Sequence, residues 1–171
     1  MKKKTWVFAI LIAIILLGVG YAAISDTVLT VTGSSATITA DPNNFVVKYK
    51  AQSEMTSSGS TGSSVNIVRN SDTDVTFTVT GLTKKDDTVT VTLPIVNLSE
   101  TLKATLGTPT ITNTNTEYFD VTINTALAGT VLVEETGTAN LVITVTAKKT
   151  PVTADETTTI TAQISATPTN S

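Results

Sequence analysis

The feature that most constrains this chain is a strict two-residue alternation of apolar and hydroxylated side chains. Val75, Phe77 and Val79 interleave with Thr76, Thr78 and Thr80, and Val89, Val91, Leu93 and Ile95 interleave with Thr88, Thr90 and Thr92. Successive side chains of an extended strand point to opposite faces, so each run has one apolar face and one hydroxylated face. Similar alternation recurs at Phe45, Val47 and Tyr49, at Phe119, Val121 and Ile123, at Leu141, Ile143 and Val145, and at Ile160, Ala162 and Ile164. Threonine is roughly one residue in five, and β-branched residues suit the pleat better than the helix. About eight to ten strands are expected, with no helix-period segment after Ala23.

Turn chemistry separates the runs: Asp41-Pro42-Asn43-Asn44, the polar tract Ser53 to Ser64, Asn113 to Thr116, Glu135-Thr136-Gly137 and Thr150-Pro151. The Ser53 to Ser64 tract is read as a solvated connection. Gly81 to Asp87 supplies glycine and charge between the two longest alternating runs, which are read as a hairpin. Short alternating strands with regular punctuation imply an all-β fold, a two-sheet antiparallel β-sandwich. Immunoglobulin-like topology is the first choice and a jelly roll the second, because periodicity identifies faces and not strand order.

A chain of 171 residues accommodates one such domain, expected over 24–171, behind a leader over 1–23. Met1 to Lys4 is basic, Trp6 to Val19 is an unbroken apolar run, and Gly18, Gly20, Ala22 and Ala23 precede Asp26. That order is the n-region, h-region and small-residue sequence of a signal peptide. An uncleaved anchor is the alternative, since Thr5 to Ser25 is about long enough to span a bilayer core. Either reading places the remainder outside the membrane, at the cell surface or secreted. Cleavage is expected around Tyr21, Ala22, Ala23 and Ile24, with the cut after Ala23. The bulky Tyr21 at the third position before it fits an ordinary Ala-x-Ala reader poorly.

The run Gly18 to Asp26, followed by Leu29-Thr30-Val31-Thr32-Gly33 and Ala36-Thr37-Ile38, resembles the leaders and first strands of TasA and camelysin-like surface proteins of Gram-positive bacteria. The resemblance covers about the first 40 residues. It implies a dedicated ER-type signal peptidase and a secreted β-sandwich. In some members it also implies a subunit of biofilm-matrix fibres, whose freed N-terminal segment completes the sheet of a neighbour. On that expectation the segment Ile24 to Gly33 donates a strand, with Leu29 and Val31 as its anchors. The alternative from pattern alone is that the segment folds back as the first strand of its own sandwich.

Cysteine and histidine are both absent, which removes disulfides, thiolate nucleophiles, imidazole bases and the usual zinc ligands. The metallopeptidase label carried by some members of that family therefore does not transfer, because an H-E-x-x-H site cannot exist here. From Ile24 onward there are eight basic and fourteen acidic residues, a net charge of −6 that disfavours nucleic acid and anionic lipid. Contact with a membrane is expected only through the leader.

The remaining chemical candidates are carboxylates and lysines. Asp72 and Asp74 share a strand face and could offer oxygens to calcium, while Asp86-Asp87 and Glu134-Glu135 converge only if they lie in turns. Lys48 and Lys50, with asparagines such as Asn140, have the residue types of an internal isopeptide cross-link. Threonine-rich faces can serve as ice-binding or glycan-binding ladders, although solvated sandwich strands are the simpler account. None of these patterns is specific, so the sequence predicts no catalytic residue, metal or cofactor, and no enzyme. Two functions compete: a structural surface or matrix protein that associates with itself or with other surface proteins, and a monomeric binding module or adhesin using loops at one end of the sandwich. Few aromatics remain after the leader to build a sugar-stacking platform.

Overall fold

The computed structural model describes residues 27–31, 45–152 and 154–170, with the backbone alone for 27–31 and 170. Twelve strands are found among the described residues: β1 (Thr27–Val31), β2 (Val47–Tyr49), β3 (Thr56–Gly59), β4 (Ser64–Arg69), β5 (Asp74–Thr80), β6 (Thr88–Asn97), β7 (Leu102–Leu106), β8 (Thr110–Asn113), β9 (Phe119–Ile123), β10 (Val131–Leu132), β11 (Thr138–Ala147) and β12 (Ile160–Asn170). The only helical pieces there are two 3-10 turns, Gln52–Glu54 and Thr125–Leu127. The proposed cleavage residues Tyr21, Ala22, Ala23 and Ile24 lie outside the described residues.

The strands form two sheets. Sheet A runs β10-β7-β12-β1-β5-β4, with β8 also paired to β12; sheet B runs β2-β6-β11-β9, with β3 also paired to β6. Alternation explains how they stack. Val89, Val91, Leu93 and Ile95 of β6 and Leu141, Ile143 and Val145 of β11 project from sheet B into one buried cluster with Val75, Ala104, Leu106, Leu132, Ala162, Ile164 and Ala166 of sheet A. Apolar faces on two sheets have only each other to cover them, and the result is an all-β sandwich with a single core. The complementary residues of sheet B are hydroxylated and pair across strands, with Thr88 and Thr146 hydroxyls 3.0 Å apart and those of Thr90 and Thr144 3.3 Å apart.

The expected hairpin between β5 and β6 does not form. β5 pairs with β4 and β1 in sheet A, whereas β6 pairs with β11, β2 and β3 in sheet B. Both strands send apolar side chains to the same core, but from opposite layers. Period two fixes which face is buried without saying which sheet supplies it. Residues 81–87 cross between the layers as an arch. Gly81 opens the arch at φ 80°, backed against the Gly62 carbonyl so closely that a β-carbon would collide. Asp87 closes it, its carboxylate accepting from the Thr83 N–H at 2.9 Å and the Lys84 N–H at 3.1 Å.

The Ser53 to Ser64 tract is also more ordered than a solvated connection. β3 and the first residue of β4 lie within it, and β3 pairs along β6 from Thr56↔Thr92 to Gly59↔Val89. Serine and glycine carry no strand signal in sequence, yet an unpaired edge of β6 offers backbone partners that any residue can meet.

Candidate functional site

The site begins with β1. Its backbone runs antiparallel to β12, with Thr27 opposite Ala166, Leu29 opposite Ile164 and Val31 opposite Ala162. On its other side it runs parallel to β5, with Thr30 opposite Asp74 and Val31 opposite Val75. β1 is therefore an interior strand. Among the described residues it is also the only lateral link between the β10-β7-β12 part of sheet A and the β5-β4 part. The expected anchors Leu29 and Val31 both lie within this seat.

A cavity lies directly beyond the end of β1. Its volume is about 740 Å³, and its lining includes Thr76 to Thr83 from β5 and the arch, and Asp155 to Ile160 leading into β12. Tyr118, Phe119, Val145 and Ala147 contribute from sheet B. The register explains its position: β1 covers β5 only at Asp74 and Val75, and β12 only from Ala162 onward. The described part of sheet A thus parts where β1 ends, between the following residues of β5 and the preceding residues of β12. At the rim Lys149 Nζ stands 5.5 Å from the Tyr118 ring and 2.7 Å from Glu117 Oε1. That hydrogen bond raises the Lys149 pKa and lowers the Glu117 pKa.

The opposite end of the sandwich is tied shut by a polar group that sequence reading missed. Asn97, fully buried at the end of β6, donates its amide to the carbonyls of Leu102 (2.8 Å), Leu132 (3.2 Å) and Val133 (3.1 Å). Its Oδ1 accepts the Ser99 N–H, and Ser99 Oγ accepts the Val46 N–H. The first two carbonyls belong to sheet A, so one asparagine bonds the two layers together.

The carboxylate candidates divide by environment. Asp72 lies at the surface against Arg69 Nη2 at 2.5 Å and Lys48 Nζ at 3.5 Å; the Arg69 hydrogen bond chiefly holds its pKa below the usual carboxylate value. Asp74 is turned inward and accepts from Asn70 Nδ2, while its Oδ1 and the hydroxyl of the fully buried Tyr49 have no hydrogen-bond partner among the described residues. Burial first, then the charge of Asp74, pushes the Tyr49 hydroxyl pKa far above its ordinary value. Asp72 and Asp74 are therefore not brought together as a calcium pair. Asp86 and Asp87 lie in the arch, and Glu134 and Glu135 lie in the turn between β10 and β11. No group of three acidic residues among the described residues is placed to hold a metal ion.

The isopeptide reading is not supported. Lys48 and Lys50 are ion-paired to Asp72 and Glu54, and Asn140 is exposed on β11. Comparison of the chain with family models, with curated proteins and with solved structures finds no match.

Proposed function

We propose that this chain is an exported structural protein of the cell surface or extracellular matrix, whose subunits join by exchanging β1 between copies. The observation that carries the reading is the interior seat of β1, flanked by β12 on one side and β5 on the other. A strand held by two edges contributes several backbone hydrogen bonds, and an identical segment from a second molecule satisfies the same edges equally well. Thirteen residues separate Val31 from Phe45. The leader pattern and its resemblance to TasA and camelysin-like proteins support export and the biofilm-matrix setting, and with them a Gram-positive source.

The test compares protein beginning at Ile24 with protein beginning at Ser34, by sedimentation velocity and negative-stain imaging. Concentration-dependent growth into long species is expected only when residues 24–33 are present. Two folded monomers of equal size distribution would overturn the proposal. A second reading, a surface binding module, draws on the cavity beside Tyr118 and Phe119, and it would take over in that event.

A further inference from the structure

The free edge of sheet A at β4 carries an inference independent of where β1 seats. β4 pairs with β5 from Ser64↔Thr80 to Arg69↔Val75, and no described residue pairs with its other side. Two hydrogen bonds reveal which peptide groups face outward. The Asn70 N–H bonds back to the Asp74 carbonyl, while the Arg69 N–H is taken by Gln52 Oε1. Peptide groups alternate sides along an antiparallel strand, so the even-numbered residues bond to β5 and Val65 and Ile67 hold their N–H and C=O toward the open edge.

The other described edges are all shorter than β4, and β3, paired only along β6, has four residues. β10 has two residues and β2 has three, with Lys48 at its centre; β9 carries Asp120, and β8 is tied to β9 through Asn113 Nδ2 and the Phe119 carbonyl. β4 has six residues and neither proline nor charge from Ser64 to Val68. Short length, proline and charge are the devices that keep edges unpaired, and β4 has none of them before Arg69.

We propose that β4 pairs with β4 of a second copy of this chain, antiparallel about a two-fold axis through Asn66. The register follows from what is already occupied. Gln52 has taken the Arg69 N–H, and the Ser63 N–H is spent on the Ser60 carbonyl. The pairing that uses both free residues sets Val65 against Ile67 of the other copy, twice over, with Asn66 against Asn66. Each Val65 and Ile67 pair exchanges two backbone hydrogen bonds. On the inner face valine meets isoleucine. On the outer face the two Asn66 amides can donate to and accept from each other, and Val68, 40 % exposed, is set beside Ser64. No like charges meet between Ser64 and Val68, so the segment is complementary to itself.

The natural chain has no cysteine, which makes a single introduced thiol an unambiguous reporter. Residues facing each other at a non-hydrogen-bonded position have Cα atoms about 4.5 Å apart, within disulfide reach. Mild oxidation of the full chain carrying Asn66→Cys should give a covalent dimer roughly tenfold faster than Ser64→Cys or Val68→Cys alone, whose thiols fall four residues out of register. A mixture of the Ser64→Cys and Val68→Cys chains should cross-link to each other. Adding Ile67→Pro to Asn66→Cys removes an outward N–H and should suppress the dimer while circular dichroism stays unchanged. Equal oxidation rates for Asn66→Cys and Ser64→Cys would overturn the proposal, as would undiminished cross-linking in a folded Ile67→Pro chain. Should Ile67→Pro unfold the protein, the comparison of positions 66 and 64 decides alone.

Discussion

Replacing Asn97 by leucine should destabilise the protein although it puts a larger apolar group into a fully buried position. The native amide has two N–H donors distributed over three carbonyls at 2.8 to 3.2 Å, and its oxygen accepts the Ser99 N–H at 3.0 Å. Leucine matches the shape roughly and none of these bonds. The carbonyls of Leu102 and Leu132 retain backbone company only if the strands stay in place, and the Ser99 N–H is left buried without an acceptor. Each lost net hydrogen bond costs about 1 kcal/mol, and a stranded buried donor costs about 1–3 kcal/mol. The sum is about 3 kcal/mol for leucine or alanine, a fall in Tm of roughly 6–12 °C for a chain of this size. Aspartate should be worse at neutral pH, because it sets a carboxylate against three carbonyl oxygens. Urea unfolding followed by circular dichroism measures the change, with an unchanged m-value confirming that the unfolded state is the same. A loss below about 1 kcal/mol for the leucine variant would refute the claim that this amide bonds the two layers, since it would mean that apolar burial replaces the network at no cost.

Two further outcomes follow from other buried groups. Tyr49→Phe removes a hydroxyl that is buried without a partner among the described residues while keeping the ring, so stability in urea should hold or rise by about 1 kcal/mol; a fall of that size would mean the hydroxyl is satisfied. The N–H of Thr83, then that of Lys84, holds the Asp87 carboxyl below the usual pKa. A depressed folded-state pKa stabilises the native protein above the unfolded value, about 3.9, and that contribution is lost as pH falls through the lower folded value. Asp87→Asn should therefore be less stable than the native protein at pH 7 and converge with it in acid; a constant gap from pH 7 to pH 2 would dismiss the assignment.

The parts of the fold legible in sequence were those set by local physics. Alternation at Val89, Val91 and Leu93 specified extended backbone and a buried face, because the pleat imposes period two wherever a strand forms. What escaped was everything decided between segments. β5 and β6 present the same pattern whether they pair with each other or face each other across the core, and only the crossing of residues 81–87 distinguishes the cases. β3, all small and polar, was invisible because its strand character comes from the edge of β6 and not from its own side chains. Asn97 differs from a surface asparagine solely in what surrounds it; an asparagine in an otherwise apolar run, Leu93 to Leu98, was the one available hint.

The two ends of the sandwich are held by different contacts. β6 runs from the cavity end at Thr88 to the Asn97 end, and β1 runs the opposite way along β12, from Ala166 toward Ala162. At its end Asn97 bonds β7 and β10 to sheet B through contacts that do not involve β1. The β5-β4 part is joined to the rest of the chain by the arch and held against the core through Val75. Each half of sheet A therefore has its own attachment to sheet B, apart from the strand between them. That separation is what exchange of β1 requires: an interior strand whose neighbours are positioned by contacts other than its own.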